Sequence, residues 1–204
     1  MKIKLVIFAS GNGTNAENIV KYFKNHNCIN IKACFVNNKN AFVLKRMEFL
    51  NIPTYIFNKE EMENGTLLKK LIELNTNFII LAGFLWLLPE GIVNFYEKRI
   101  LNIHPSLLPK YGGKGFYGNK VIKEILNNKE SYTGITIHLV NKEYDKGEII
   151  FQKSIKVYQN DDENSLYKKI HNLEHTYYPK IIEWYVNYFS NKVSFKNNFN
   201  FYHQ

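Results

Sequence analysis

IKLVIFASGNGTN, residues 3–15, is the stretch on which the fold turns. Residues 3–9 form a nearly unbroken apolar run of the length expected for a strand buried on both faces. Ser10–Gly13 then supplies a tight turn, and from Thr14 to Lys24 the apolar residues return at helical spacing. A buried strand that passes through a glycine turn into a helix is the opening unit of an α/β domain. Because the apolar run enters that turn directly, it reads as a first strand rather than a targeting segment.

The same alternation continues along the chain. Strands are expected at 29–37, 54–58, 78–83 and 99–104, with helices at 41–50, 60–75 and in a short stretch after Pro89. The fully apolar FIILAG (78–83) has the character of a central parallel strand. Pro105, Pro109 and four glycines up to Gly118 make a long irregular loop, and such loops inside compact domains are usually functional. After a helix near 117–128 come two strands, 133–140 and 148–157. The turn between them is too short for a parallel crossover, so they pair antiparallel. A long helix begins near Asp161-Asp162-Glu163 and contains Pro179, where a bend is expected. The tail KVSFKNNFNFYH suggests a closing hairpin around Asn197-Asn198. With no repeat, linker or low-complexity segment, residues 1–204 are expected to form one domain. The expected architecture is three-layer α/β: a mostly parallel twisted sheet, a late antiparallel pair and a long C-terminal helix.

Bulk properties exclude several classes. A chain of 204 residues with 45% hydrophobic and 22% charged residues is an ordinary globular protein. No apolar run approaches the roughly 20 residues that a membrane-crossing helix needs. Cys28 and Cys34 flank a strand, about 20 Å apart if extended, so they cannot pair and are expected to pack in a reducing, cytoplasmic setting. The formal charge of +9 rests on scattered lysines, the only arginines being Arg46 and Arg99. Without a dense basic cluster this is a solvated surface that favours small anions, and neither a nucleic acid nor a membrane is expected as a partner.

Three groups of residues carry candidate chemistry. In Ser10-Gly11-Asn12-Gly13-Thr14-Asn15 the glycines let backbone N–H groups face an anion at the positive end of a helix, which suits a phosphate. The plain alternative is a tight turn with Thr14 or Asn15 capping the helix. The spacing is not that of a dinucleotide fingerprint, since Asn15 and Ala16 stand where its third glycine would be. Asn37 and Asn38, rather than an acid, end the second strand, and no G-K-[ST] follows as in an NTPase loop. In RILNIHPSLLPK (99–110), alternation puts Ile100, Asn102 and His104 on one side and Leu101 and Ile103 on the other. An amide and an imidazole then project together, roughly 6–7 Å apart, near the end of a strand where open sheets bind ligands. Asp145, one of three aspartates, lies in the loop between the late strands, where a turn residue is the ordinary reading. His138, on the same face as Thr136, reads as a core histidine or one that supports the site.

Taken in order, ASGNGTN, LAGFLWLLP, NIHPSLLPKYGGKG, TGITIHLVNKEYDKGEIIFQ and IHNLEHTYYP strongly resemble the phosphoribosylglycinamide formyltransferase family across nearly the whole chain. The resemblance implies a Rossmann-like formyltransferase fold. It implies transfer of the formyl group of 10-formyltetrahydrofolate, a co-substrate, to the amine of glycinamide ribonucleotide in purine biosynthesis, with no metal. Asn102 would donate to the developing oxyanion, His104 would supply a proton, and Asp145 would orient the imidazole. The phosphate and ribonucleotide contacts fall on Gly11, Asn12, Gly13, Thr14, Asn15, His171 and Glu174. The folate contacts fall on Leu85, Trp86, Leu87 and Leu88, on Asn102, and on Asn141, Lys142, Glu143, Tyr144 and Asp145. Two segments depart from the family pattern: Trp86 stands where well-known members have Arg, and Lys114, Phe116 and Tyr117 lie in a segment that elsewhere contains His.

Related activities use the same formyl-transfer motif. A methionyl-tRNA formyltransferase normally adds a C-terminal tRNA domain, for which the about 17 residues after the long helix are too few. A formyltetrahydrofolate hydrolase normally adds an N-terminal regulatory domain, whereas this chain opens on its first strand. A nucleotide-binding module without catalysis would have no need for Asn102, His104 and Asp145 together. The expected partners are therefore the ribonucleotide and the reduced folate, with the protein itself a monomer or homodimer.

Overall fold

A computed structural model describes residues 2–199, with side chains as far as Asn191. The elements in chain order are β1 (Ile3–Ala9), α1 (Thr14–Phe23), β2 (Ile29–Val36), α2 (Val43–Phe49), β3 (Thr54–Ile56), α3 (Lys59–Glu63), α4 (Thr66–Glu73) and β4 (Phe78–Leu81). They continue with α5 (Glu90–Phe95), β5 (Ile100–His104), α6 (Asn119–Asn127), β6 (Tyr132–Leu139), β7 (Ile149–Lys156) and α7 (Glu163–Phe199).

The strands form one seven-stranded sheet in the order β3-β2-β1-β4-β5-β6-β7. It is parallel from β3 to β5, and β6 runs antiparallel to both β5 and β7. The antiparallel part therefore extends one strand further than the expected pair. Strand alternation divides the core into two layers. Leu5, Ile7 and Ala9 of β1 face the side covered by α1, α2, α6 and α7, while Val6 and Phe8 face α3, α4 and α5; all five are 0% exposed. That double burial is why β1 and β4 read as continuous apolar runs. On β5, Leu101 and Ile103 join the α7 side and Ile100 the other, which leaves Asn102 and His104 with Ile100 as alternation requires.

Several expectations are corrected. The helix expected over 60–75 is two helices. Asn58 and Glu61 cap α3 reciprocally, and the chain then turns at Gly65, whose φ of 89° a residue with a side chain rarely adopts. The tail hairpin expected around Asn197-Asn198 is instead the end of α7, which continues to Phe199; residues 200–203 of that expectation lie outside the described residues. An Asn-Asn pair lacks the glycine that favours a two-residue turn, and the backbone remains helical. Cys34 is buried as expected, its thiol pushed up to about 12 by burial, but Cys28 is exposed. No helix among the described residues is long and apolar enough to cross a membrane.

Pro179 lies inside α7 and has no N–H to donate to the carbonyl four residues back. The carbonyl concerned, that of His175, accepts instead from Asn18 Nδ2 of α1 at 2.9 Å. Next to the proline, the fully buried Tyr178 directs its hydroxyl at the carbonyls of Leu81 (2.8 Å) and Leu101 (3.1 Å). Helix α7 is thus fastened to α1 on one side and to the backbones of the neighbouring strands β4 and β5 on the other.

Candidate active site

The sheet order changes direction between β1 and β4, the switch point at which open α/β sheets bind ligands. A cleft of 580 Å³ opens there. It is lined by residues 11–15 after β1, residues 81–88 after β4, Asn102 to Pro105 at the end of β5, residues 113–118, and Tyr167, Ile170, His171 and Glu174 of α7.

The centre of the cleft is a polar cluster built by strand register. Antiparallel pairing sets Asn102 opposite His138 and His104 opposite Thr136. The Nδ1 of His138 is 2.8 Å from the Leu139 carbonyl, which can only accept, so Nδ1 carries the hydrogen and Nε2 is left to accept. Asn102 Nδ2 donates to that Nε2 at 3.1 Å and has a second, longer contact of 3.5 Å with Asp145 Oδ1. This arrangement fixes which end of the Asn102 amide carries nitrogen. His104 is 4% exposed; its Nε2 donates to the Tyr111 carbonyl at 2.7 Å and its Nδ1 faces Asp145 Oδ2 at 3.5 Å. Asp145 Oδ2 also accepts from the Gly113 N–H at 2.9 Å, so the irregular loop is tied to the carboxylate from its own backbone.

Two opposed effects set the charges here. Burial lowers the His104 pKa, and the Asp145 charge and the Tyr111 carbonyl offset this only in part. Burial pushes the Asp145 carboxyl up, yet the facing His104 and the Gly113 N–H outweigh it and hold Asp145 below the usual carboxylate value. The loop that delivers these contacts is held by Thr136. Its hydroxyl donates to the Ser106 carbonyl at 2.7 Å and accepts from the Leu108 N–H at 3.0 Å and from Gln152 Nε2 at 2.8 Å.

At one end of the cleft, Gly13 takes φ 79°, and a Cβ there would overlap the Val43 side chain, so glycine is required twice over. Thr14 Oγ1 meets His171 Nε2 at 2.8 Å, and Asn15 Nδ2 donates to Glu174 Oε2 at 2.9 Å. Burial raises Glu174 to about 7, with the Asn15 bond acting against it. Burial lowers His171 and takes His175 down to about 4, the latter helped by His171, whose ring lies 3.9 Å away.

The other end is apolar. Leu85 and Leu87 are exposed in the cleft wall, Leu88 is buried, and Trp86 packs edge-on against Phe57 with ring centres 6.2 Å apart. Ser10 Oγ accepts the Leu85 N–H at 3.0 Å, which joins this wall to the glycine turn.

A comparison with known proteins finds a match to the formyl transferase family over residues 3–182. The chain belongs to that family. Among formyl transferases, it is similar to the chloroplastic phosphoribosylglycinamide formyltransferase of Arabidopsis thaliana, 36% identical over 88% of this chain and 64% of the relative. The phosphoribosylglycinamide formyltransferase of Bacillus subtilis is 34% identical over 88% of this chain and 93% of the relative. A solved structure of that enzyme from Coxiella burnetii superimposes with a TM-score of 0.82 at 34% identity, covering 91% of this chain and 87% of the other. The chain spans 64% and 60% of the length of the two chloroplastic relatives it matches.

The fold brings most of the residues expected from sequence to one cleft. Gly11 to Asn15, Leu85 to Leu88, Asn102, His104, His138, Glu143, Tyr144, Asp145, His171 and Glu174 all line it. Asn141 and Lys142 are not among the lining residues: Asn141 caps its own turn, and Lys142 pairs with Glu90 at 3.0 Å. Sequence reasoning missed Thr136, Gln152 and Tyr178, whose polar groups support the site from behind, and the Tyr111 carbonyl and Gly113 N–H. Side-chain type gives no hint of a backbone contact, and only the Thr136 alternation with His138 offered a clue.

Proposed function

We propose that this protein transfers the formyl group of 10-formyltetrahydrofolate to the amine of glycinamide ribonucleotide, giving formylglycinamide ribonucleotide and tetrahydrofolate in purine biosynthesis. The observation that carries this reading is a single cleft with an anion-binding turn at one end, an apolar wall at the other and the Asn102–His104–Asp145 cluster between them. A phosphorylated amine and a folate can therefore reach one carbon from opposite sides. Attack of the amine nitrogen on the formyl carbon makes a tetrahedral intermediate with a negative oxygen. Collapse breaks the bond to the folate nitrogen, and one proton passes from the amine to that leaving group. The Asn102 hydrogen that has only a long contact to Asp145 is the one available to the oxyanion. His104 relays that proton once the Tyr111 carbonyl yields its Nε2, giving one to the folate nitrogen and taking one from the amine, and Asp145 holds the imidazole in orientation. Gly11 to Asn15 and His171 bind the phosphate, and Glu174 accepts from the ribose or the amine. Leu85 to Leu88 with Glu143 and Tyr144 receive the folate. No metal takes part. Residues 1–204 act as one formyltransferase domain in the cytoplasm, as a monomer or homodimer.

The test is to incubate the protein with 10-formyltetrahydrofolate and glycinamide ribonucleotide, initiator methionyl-tRNA or water alone, and to follow deformylated folate. Turnover only with the ribonucleotide is expected. Equal release in water alone would identify a hydrolase, and dependence on the tRNA would identify the tRNA-directed enzyme.

A further inference from the structure

We infer that Arg46 of α2 is a positioning residue for the ribonucleotide phosphate, acting through the glycine turn and through Glu17; the inference rests on the phosphate-binding reading of that turn. Arg46 Nε donates to the Asn12 carbonyl at 2.9 Å and to Asn12 Oδ1 at 3.2 Å, and a terminal nitrogen reaches the same Oδ1 at 2.8 Å. The other terminal nitrogen pairs with Glu17 Oε2, and the guanidinium lies 5.0 Å from the Phe42 ring centre. The side chain is 23% exposed, so it is held on three sides.

The significance lies in where the turn's carbonyls are directed. The Gly11 carbonyl accepts from the Val43 N–H at 3.1 Å, the Asn12 carbonyl from Arg46, and the Gly13 carbonyl from the Glu17 N–H at 2.9 Å. In a trans peptide the carbonyl and the following N–H point in opposite directions. Engaging these three oxygens from behind therefore turns the N–H groups of Asn12, Gly13 and Thr14 the other way, toward the cleft that all three residues line. The first and last of these engagements are backbone bonds. The middle one depends on a single side chain, and a fork with several donors is needed to hold carbonyl and amide oxygen together.

Arg46 also governs charge. Glu17 occupies the first turn of α1 and would repel a phosphate bound at the end of that helix. Its carboxylate is neutralised by Lys21 at 2.5 Å and by Arg46, and these contacts lower its pKa against the effect of burial. Without Arg46, the turn loses its central restraint and the cleft gains a partly unscreened carboxylate.

The experiment is steady-state kinetics on wild type, Arg46→Gln, Arg46→Lys, Glu17→Gln and the double variant Arg46→Gln/Glu17→Gln, with inorganic phosphate as competitor. Arg46→Gln should raise KM for the ribonucleotide about tenfold, the scale of a lost charge-assisted contact, and weaken phosphate inhibition in parallel. kcat and the folate KM should stay within about twofold of wild type, as expected when only ground-state binding is lost. Arg46→Lys, which keeps charge but not the fork, should fall between, and it serves as the test if Arg46→Gln does not fold. Adding Glu17→Gln should recover part of the loss. An unchanged ribonucleotide KM, a joint shift of both KM values with kcat, or a double variant worse than Arg46→Gln would overturn the inference. Wild type that turns over no ribonucleotide would overturn the functional reading itself.

Discussion

On the proposed function, the groups that hold the phosphate at the Gly11–Asn15 end of the cleft are peptide N–H dipoles arranged by one short turn. At the centre they are side chains from β5, β6 and the loop before β7, with Asn102 and Asp145 43 residues apart. Dipoles do not titrate and hold an anion over a wide pH range, whereas the central imidazole and carboxylate each exist in two protonation states. On that function, the pH-sensitive work falls to the centre and the pH-tolerant work to the turn, with His171 and Glu174 as titratable exceptions at the anion end. The contrast also separates two kinds of failure. If the proposed roles hold, damage at the centre should remove chemistry and damage at the turn should remove binding.

The sharpest break should come at the centre. His104→Ala and Asp145→Ala should each lower kcat at least about a hundredfold, toward a thousandfold, the usual scale for a positioned proton donor. Circular dichroism should still report a folded chain. Near-normal turnover by folded His104→Ala would dissolve the distinction between the two regions. The next largest effect concerns Glu174. Its folded pKa, about 7, lies above the ordinary 4.5. The unliganded protein therefore has the associated stability in full below about pH 4.5 and loses it as pH rises through about 7, a change of roughly 2–3 kcal/mol. The depressed His104, His171 and His175 add stability over the same range in both proteins, so the readout is the difference: in urea titrations from pH 4.5 to 8 wild type should lose stability relative to Glu174→Gln as pH rises, and parallel curves would refute the burial argument. The smallest effect on kcat should come from Gly13→Ala, which places a side chain at positive φ against Val43. About 2–4 kcal/mol of stability should be lost to strain and overlap together, with a higher ribonucleotide KM and an unaltered kcat. A drop in kcat alone would blur the line between binding end and catalytic centre.

The same contrast explains what was legible in the sequence. The turn is local, so SGNGTN announced itself through glycines following a buried strand. Alternation within β5 was equally plain, and the two-residue period alone places Asn102 and His104 on one face. Joining them to Asp145 required the pairing of β5 with β6, which no local pattern states, and only the family resemblance supplied that link. Lys142 and Asn141 were carried along by neighbouring residues, and the structure instead gives them an ion pair with Glu90 and a turn cap. Gly65 was passed over because Leu67, Leu68, Leu71 and Leu74 set a helical rhythm after it, and that rhythm was extended back across the break to residue 60. The tail alternates like a strand but remains in α7, since alternation alone cannot end a helix that is already formed.

The bond from Asn18 to the His175 carbonyl has a consequence for assembly of the cleft. A helix offers the same repeating backbone at every residue, so α7 could in principle settle against α1 in neighbouring offsets, each step displacing it by about 1.5 Å along its axis. Pro179 leaves one carbonyl along this stretch without its helical donor, and Asn18 recognises that carbonyl. The proline thereby acts as an index mark: it distinguishes one offset from the rest, and at that offset His171 and Glu174 stand opposite Thr14 and Asn15.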